Sequence, residues 1–364
     1  MKKFAYYALV IFLVIVVLPC IIVKGCGFGT DDVNNEARES NNDNSNNNSS
    51  NNSSNNSNNN NYDDDSNDAG ETDNDLKIRV YVNKEKKIVE MELEEYVKGV
   101  VAAEMPAEFE PEALKAQAVA ARTYVLGRYE KIYNDEQMLH EGADICTDPA
   151  HCQAWVSKSD AMKKWSFFSS KKYWNKISDA VESTKGRIIT YNDKIANPVF
   201  HSNSGGRTEN AEDVWDGCVV PYLKSVVSKG EDASKEYKTT VSFKTSDFKN
   251  RLKKEYPDIK FTSSNLIKSI KILNYTEGGR VKTLQIENIK LKGTDFRRIF
   301  SLRSANFKIE GKKDSLNITT IGNGHGVGMS QWGANYLAKS GKDYEYIIKY
   351  YYLGVELSSI DTLK

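Results

Sequence analysis

A glycine-rich turn near the end of the chain carries polar side chains that could contact a ligand. Three glycines within residues 324–328 alternate with His325 and a valine, and Ser330 and Gln331 follow directly. Glycine at this density permits left-handed backbone and close approach to a ligand. The spacing lacks the third glycine of a dinucleotide-binding turn and the lysine of a P-loop. Either the turn presents His325, Ser330 and Gln331 to a groove, or it only packs Trp332.

A glutamate far upstream is placed to retain a proton. Glu104 follows four apolar residues and precedes Pro106 by two positions, which predicts that it ends a helix. A helix C-terminus carries partial negative charge and burial disfavours a carboxylate, so both effects favour the protonated carboxyl. A general acid requires that state. The alternative is an exposed glutamate at a helix end with no chemical role.

The next predicted helix carries two cations. Lys115 and Arg122 are seven residues apart on an alanine-rich helix that begins at Pro111, so they share a face. They could reach a polar substrate, or they could form a solvated face. A hydrolysing glycosidase normally needs two carboxylates, but Asp213 and Asp216 resemble loop residues rather than a second catalytic motif.

A further group of side chains could bind a metal ion. His140, Cys146 and Cys152 recur at intervals of six residues. Two thiolates and an imidazole suit zinc, with the fourth position left to water, Glu104 or His151. A Cys146–Cys152 disulfide is the alternative if this part of the chain lies outside the cytoplasm, and free structural thiols are a third. The predicted metal ligands are His140, Cys146 and Cys152.

The elements that position these residues change type along the chain. Alternating residues 76–82 and 87–93 predict a hairpin, and helical spacing follows to Glu104 and again from Pro111 to about Tyr133. From Arg187 onward short alternating runs predict mainly strands, interrupted by helices near 245–255 and 295–301. We therefore expect an α+β fold of two lobes with a groove, helical over about 93–186 and mainly β over about 187–364.

The first 75 residues differ in composition from the remainder. Lys2 and Lys3 precede an uncharged apolar run that ends at Lys24, which predicts a membrane anchor over residues 1–25 with the bulk of the chain outside. Asn, Ser and Asp dominate residues 26–75, which predicts a disordered linker. Lys plus Arg (50) balance Asp plus Glu (50), so the charge does not indicate a nucleic-acid partner.

Three segments in this order resemble the stage II sporulation protein D family of peptidoglycan lytic transglycosylases. They are Glu95–Pro106 continued by Pro111–Tyr124, then His201–Glu209, then the glycine-rich segment 324–334. The resemblance covers roughly residues 76–357. It implies that Glu104 is the catalytic acid, and that the substrate is contacted by Lys115, Gln117, Arg122, Ser204, His325 and Gln331.

The resemblance also implies a function and a setting. The family cleaves glycan strands that lack stem peptides and leaves 1,6-anhydro ends, a reaction that needs no activated water and hence one carboxylate. It acts during engulfment of the forespore, from the mother-cell membrane, with the amidase stage II sporulation protein P and the membrane protein stage II sporulation protein M. The alternative is a non-catalytic enhancer of a partner amidase, a role found among relatives that share the domain.

Overall fold

The computed structural model describes residues 76–133, 140–149, 151–263 and 265–363. The predicted anchor (1–25) and linker (26–75) lie outside these residues. Among the helices of the described residues, none combines the length and the apolar character needed to cross a bilayer. The described part is a mixed α+β structure with several small sheets.

A three-stranded sheet opens the described chain and leads directly into the helix that carries Glu104. Strand β1 (Lys77–Val82) pairs antiparallel with β2 (Lys87–Glu92) and parallel with β3 (Ile145–Cys146). Helix α1 (Leu93–Glu104) follows β2 without a loop and ends as predicted, because Met105 takes an extended conformation before Pro106. The β1–β3 pairing brings the cysteine-containing segment back towards α1.

Helix α2 (Pro111–Tyr129) is the centre of the larger hydrophobic core. Pro111 occupies its first turn, as predicted, and nearly every residue from Ala113 to Arg128 is buried. The alanines of this helix allow neighbouring helices to approach closely on several sides. Those neighbours are α1, α4 (Phe167–Glu182), α8 (Gln331–Lys339) and α9 (Tyr344–Tyr351), and the short α3 (Lys158–Lys164) packs on α4.

Short strands pair distant parts of the chain within this larger core. Strand β4 (Arg187–Tyr191) pairs with β5 (Lys194–Ile195) and with the last strand, β14 (Glu356–Ser359). Strand β6 (Phe200–His201) pairs in parallel with β13 (Met329–Ser330), and helix α5 (Ala211–Val214) follows β6. The β6–β13 pair joins two of the three segments that carry the family resemblance.

A second hydrophobic core has its buried residues between Phe248 and Ile318, with Val241 and Phe243 packed against it. Its sheets are β11–β12–β7 and β10–β9–β8, and two helices pack on them. The elements are β7 (Lys238–Lys244), α6 (Thr245–Glu255), β8 (Ile270–Tyr275), β9 (Val281–Ile286), β10 (Ile289–Lys292), α7 (Gly293–Ile299), β11 (Phe307–Gly311) and β12 (Ser315–Ile321).

The division between the cores differs from the predicted sequential boundary near residue 187. The β-rich core is an insertion, and the chain returns from it through the glycine-rich turn to helices α8 and α9 of the larger core. Helices α8 and α9, near the end of the described residues, thus join the larger core by packing on α2. Among the described residues, those buried in this core lie between Ile78 and Val355.

Candidate active site

The Glu104 carboxyl group is held at the end of α1 by two donors from distant segments. The backbone N–H of Ala154 donates to Oε1 at 2.9 Å, and the side-chain amide of Gln331 donates to Oε2 at 3.4 Å. The side chain is partly exposed, yet burial raises its pKa above the ordinary glutamate value, and the two donors only partly oppose this effect. The protonated form of Glu104 is therefore favoured more than in an ordinary glutamate, and the side chain retains access to solvent.

Gln331 connects Glu104 to α2. Its amide nitrogen lies 3.4 Å from Oε1 of Gln117, which is fully buried. Gln331 itself is 4% exposed and is the first residue of α8, where the side chain of Ser330 caps the helix by accepting from Gly333 N–H. The structure thus brings together three predicted site residues, Glu104, Gln117 and Gln331, although the two glutamines are too buried to offer a large contact surface.

Ser330 and Ser204 meet at a buried carboxylate that sequence reasoning missed. Glu231 is 2% exposed and accepts from the hydroxyl groups of Ser204, Ser228 and Ser330, and from the backbone N–H groups of Ser204 and Gly206. Five donors stabilise this buried charge. The Ser204 side chain is 1% exposed and donates to both oxygens of Glu231 at 2.8 Å. It therefore joins segments of the chain and is not an exposed groove residue as expected.

His325 is also bound within the fold. The N–H of Val327 donates to Nδ1 at 3.1 Å, so the proton is on Nε2, which donates to the carbonyl of Phe200 at 2.9 Å. Burial lowers the pKa of His325 to about 3, so the ring is neutral at physiological pH. Nδ1 thus fixes the ring within the glycine-rich turn, whereas Nε2 holds the turn against β6, and the ring packs beside Trp215. Both ring nitrogens are therefore engaged within the protein in this arrangement.

Two positions of this turn require glycine because neighbouring atoms leave no room for a side chain. Gly326 and Gly328 both have positive φ angles, of 91° and 69°. A Cβ atom at Gly326 would lie 2.3 Å from the guanidinium carbon of Arg280, and one at Gly328 would lie 2.1 Å from the carbonyl oxygen of Val199. Because the turn has this compact path, α8 begins where Gln331 can reach Glu104, as expected for a rigid turn that positions polar residues.

Lys115 and Arg122 lie in different environments despite sharing a helix. Lys115 forms an ion pair with Glu112 at 2.7 Å and lines an open cleft of about 840 Å³ between α2 and α4. The Arg122 side chain is 0% exposed and forms a bidentate pair with Glu94, with N–O distances of 2.7 and 2.6 Å. It also donates to the carbonyls of Val181 and Arg187. Arg122 thus joins α1, α4 and β4, and this placement corrects the expectation that it contacts substrate.

Three potential metal-binding side chains meet beside the loop that reaches Glu104. Ligand atoms of Cys146, His151 and Cys152 all lie within 4.8 Å of one another, and both cysteines are free thiols. Nδ1 of His151 is 3.3 Å from the Cys146 sulfur and 3.5 Å from the Cys152 sulfur. Tetrahedral ligands at about 2.0–2.3 Å from a shared zinc lie about 3.3–3.8 Å apart. The two nitrogen–sulfur distances agree with this spacing, so the donor set fits zinc.

The histidine in this group differs from the predicted one. His140 stacks on Tyr81 with ring centroids 3.6 Å apart, and its ring lies 6.2 Å from that of His151. It nevertheless lines the same small cavity as the two cysteines. His151 therefore belongs to the three-residue cluster, whereas His140 is placed as a neighbour. Regular spacing favoured His140, but the turn after Asp148 directs the ring of His151 towards both sulfur atoms.

Comparison with known proteins finds a matching family model and several similar proteins. Residues 81–191 match the family model described as SpoIID, Stage II sporulation protein. The chain is 41% identical over 286 residues to stage II sporulation protein D of Bacillus subtilis, which covers 79% of this chain and 80% of that protein.

Two further relatives extend the comparison. Stage II sporulation protein D of Bacillus amyloliquefaciens is 40% identical over 79% of this chain and 80% of its own length. An amidase enhancer of Bacillus subtilis is 29% identical over 72% of this chain and 40% of its own length. On these matches, the chain belongs to the stage II sporulation protein D family.

Proposed function

We propose that this protein is a sporulation-specific peptidoglycan lytic transglycosylase with Glu104 as its catalytic acid. The observation that carries the proposal is the environment of Glu104: a partly exposed carboxyl group whose pKa is raised by burial and whose oxygens are oriented by Ala154 and Gln331. A raised pKa favours the protonated form, which a general acid needs to protonate the glycosidic oxygen.

A single carboxyl group suffices for this reaction. Glu104 protonates the glycosidic oxygen as the bond to the anomeric carbon breaks, and the positive charge develops on the sugar ring. The C6 hydroxyl of the same sugar then attacks the anomeric carbon and returns a proton to the Glu104 carboxylate. The products are one strand with a 1,6-anhydro end and one with a free hydroxyl, and water does not enter.

The cellular setting forms part of the same proposal. We expect the substrate to be glycan strands without stem peptides, produced by the amidase stage II sporulation protein P, with stage II sporulation protein M as a further partner. The chain would act outside the cytoplasm from the mother-cell membrane, held by residues 1–25, during engulfment. Membership of the sporulation family supports this setting, and the amidase-enhancer relative supports a connection with amidases.

We further propose that the cysteine cluster holds a structural zinc ion. Cys146, His151 and Cys152 would supply three ligands, and His140 borders the same cavity as a fourth candidate. The ion would supply a cross-link between β3 and the loop that follows it. Since Ala154 is two residues beyond Cys152, fixing this loop also fixes the N–H group that donates to Glu104. The alternative is a Cys146–Cys152 disulfide.

A second candidate function is a non-catalytic amidase enhancer, favoured by the 29% identical relative of that name. The two functions differ in what Glu104 does. Glu104→Gln keeps the shape of the side chain and one acceptor oxygen, but its NH2 group cannot accept from Ala154 or Gln331 and the side chain cannot donate the proton. The matched control is Glu108→Gln, which changes an exposed glutamate in the adjoining loop.

Digestion of peptide-free glycan strands separates these functions. We expect cleavage by the wild type and by Glu108→Gln, and loss of at least about 100-fold in rate for Glu104→Gln, as for other positioned proton donors. Wild-type protein that leaves the strands intact but accelerates a partner amidase would support the enhancer function. Cleavage by Glu104→Gln at the wild-type rate would assign the chemistry to another residue.

A further inference from the structure

Two adjacent phenylalanines stand in solvent at the start of α4. Phe167 is 89% exposed and Phe168 is 93% exposed, whereas the next most exposed large apolar side chain of the described residues, Val219, is 66% exposed. Their rings contact each other edge to face, with centroids 5.7 Å apart. Isolated apolar residues at the surface are common, but an adjacent pair of nearly fully exposed aromatic rings indicates an interaction site.

Cations surround this pair on both sides in the sequence. The segment 163–172 reads KKWSFFSSKK and contains four lysines and no acidic residue. Lys163, Lys164, Lys171 and Lys172 are all exposed. In α4, Lys171 is four residues after Phe167 and Lys172 is four after Phe168, so these lysines lie on the same helix face as the rings.

This combination matches the surface chemistry of an anionic bilayer. Aromatic rings partition into the boundary between headgroups and acyl chains, and lysines beside them are attracted to anionic headgroups and can extend towards these from the helix. An acidic protein groove would also attract the lysines, and Lys171 and Lys172 also line the cleft between α2 and α4. Two neighbouring rings that project almost fully into solvent nevertheless suit insertion into a fluid layer better than a rigid pocket.

We propose that the Phe167–Phe168 pair and its four flanking lysines form a membrane-docking tip, which inserts the two rings into an anionic lipid surface. This contact is made by the folded part of the chain and is separate from the anchor predicted at residues 1–25. It would hold one end of α4 against the bilayer and so restrict how the rest of the folded part faces the cell wall. The proposal is independent of the reaction assigned to Glu104.

The test uses residues 76–364, which include both hydrophobic cores of the described residues and omit the predicted anchor. The fragment is sedimented with vesicles of phosphatidylglycerol and phosphatidylcholine, and with vesicles of phosphatidylcholine alone. The docking variant is Phe167→Ser/Phe168→Ser, and its control is Tyr275→Ser, which removes an exposed ring from β8. The charge variant is Lys163→Gln/Lys164→Gln, and its control is Lys253→Gln/Lys254→Gln, an exposed lysine pair of α6.

We expect the fragment and both controls to sediment with the anionic vesicles, and less with the neutral ones. The double phenylalanine variant should lose at least about tenfold in partition coefficient, and the lysine variant at least about threefold, with weaker binding in high salt. Circular dichroism confirms that each variant is folded. Equal partition of the wild type and the phenylalanine variant would overturn the proposal. Failure of the wild type to sediment with either vesicle would also overturn it.

Discussion

The side-chain amide of Gln331 donates to the carboxyl group of Glu104 across 227 positions of sequence, with a nitrogen–oxygen distance of 3.4 Å. The contact joins the last residue of α1 to the first residue of α8, and each of these residues lies in a segment that carries the family resemblance. It also opposes the effect of burial, because a donor to the carboxylate favours the charged form. Gln331 therefore adjusts the proton affinity of the proposed acid.

A pH profile tests this relationship. The acid acts in its protonated form, so the rate falls as pH rises through the pKa of Glu104, which burial has raised. Gln331→Met removes a donor that lowers this pKa, so the basic limb of the kcat/KM profile should move to higher pH. Asn335→Ala, a change of another buried polar residue in α8, should leave the limb in place. A limb that stays or moves to lower pH in Gln331→Met would contradict the assignment.

Arg122 is expected to affect stability rather than substrate binding. Arg122→Met leaves the Glu94 carboxylate without its bidentate partner at a site where both side chains are largely buried. This should lower the free energy of unfolding by about 3–5 kcal/mol, measured by urea denaturation. The double variant Glu94→Met/Arg122→Met should recover much of the loss, since the uncompensated charge is gone. A variant with wild-type stability and a raised KM for glycan would instead place the guanidinium in contact with substrate.

Ser204 is likewise expected to affect stability rather than substrate binding, because its hydroxyl group donates to Glu231. Ser204→Ala removes a hydroxyl group that donates to both oxygens of a buried carboxylate. The predicted cost is about 1.5–3 kcal/mol in free energy of unfolding, with kcat/KM of the folded protein little changed. Ser166→Ala, at an exposed serine before α4, serves as the control and should cost far less. Full stability together with a large fall in kcat would restore a direct catalytic role for Ser204.

The metal proposal predicts about one zinc ion per chain, lost in Cys146→Ser. Removal by a chelator should lower the melting temperature and reduce activity, because the loop that carries Ala154 loses its cross-link. Elemental analysis and thermal denaturation measure the two effects. The disulfide would be supported instead if the wild-type protein contains no zinc and its mass is two hydrogens below that of the reduced chain, as a Cys146–Cys152 bridge requires.

Local signals in the sequence predicted the elements of the fold better than the contacts between them. Proline positions indicated the end of α1 and the start of α2, and helix α6 has the predicted limits. The insertion of the β-rich core was not predictable from periodicity, because the return of α8 and α9 to α2 depends on packing between distant residues. The position of Glu104 at the end of a helix, after apolar residues, was predictable because it depends on neighbouring residues only.

The partners of the site residues were harder to predict for a similar reason. Arg122 and Glu94 are 28 positions apart, and Glu231 lies in a segment without a motif, so neither buried pairing has a signature in a single sequence. A buried arginine resembles a substrate-binding one when only helix spacing is known. Spacing also favoured His140 over His151, although the turn that follows Asp148 brings His151 to the two sulfur atoms.

The most direct test of the central claim is digestion of peptide-free glycan strands in water enriched in heavy oxygen, with mass spectrometry of the new ends. If Glu104 acts alone and the C6 hydroxyl of the sugar is the acceptor, every cut leaves one 1,6-anhydro end, which is one water lighter than a reducing end and free of label. Labelled reducing ends as the main product would contradict the account, because they require a second group that activates water.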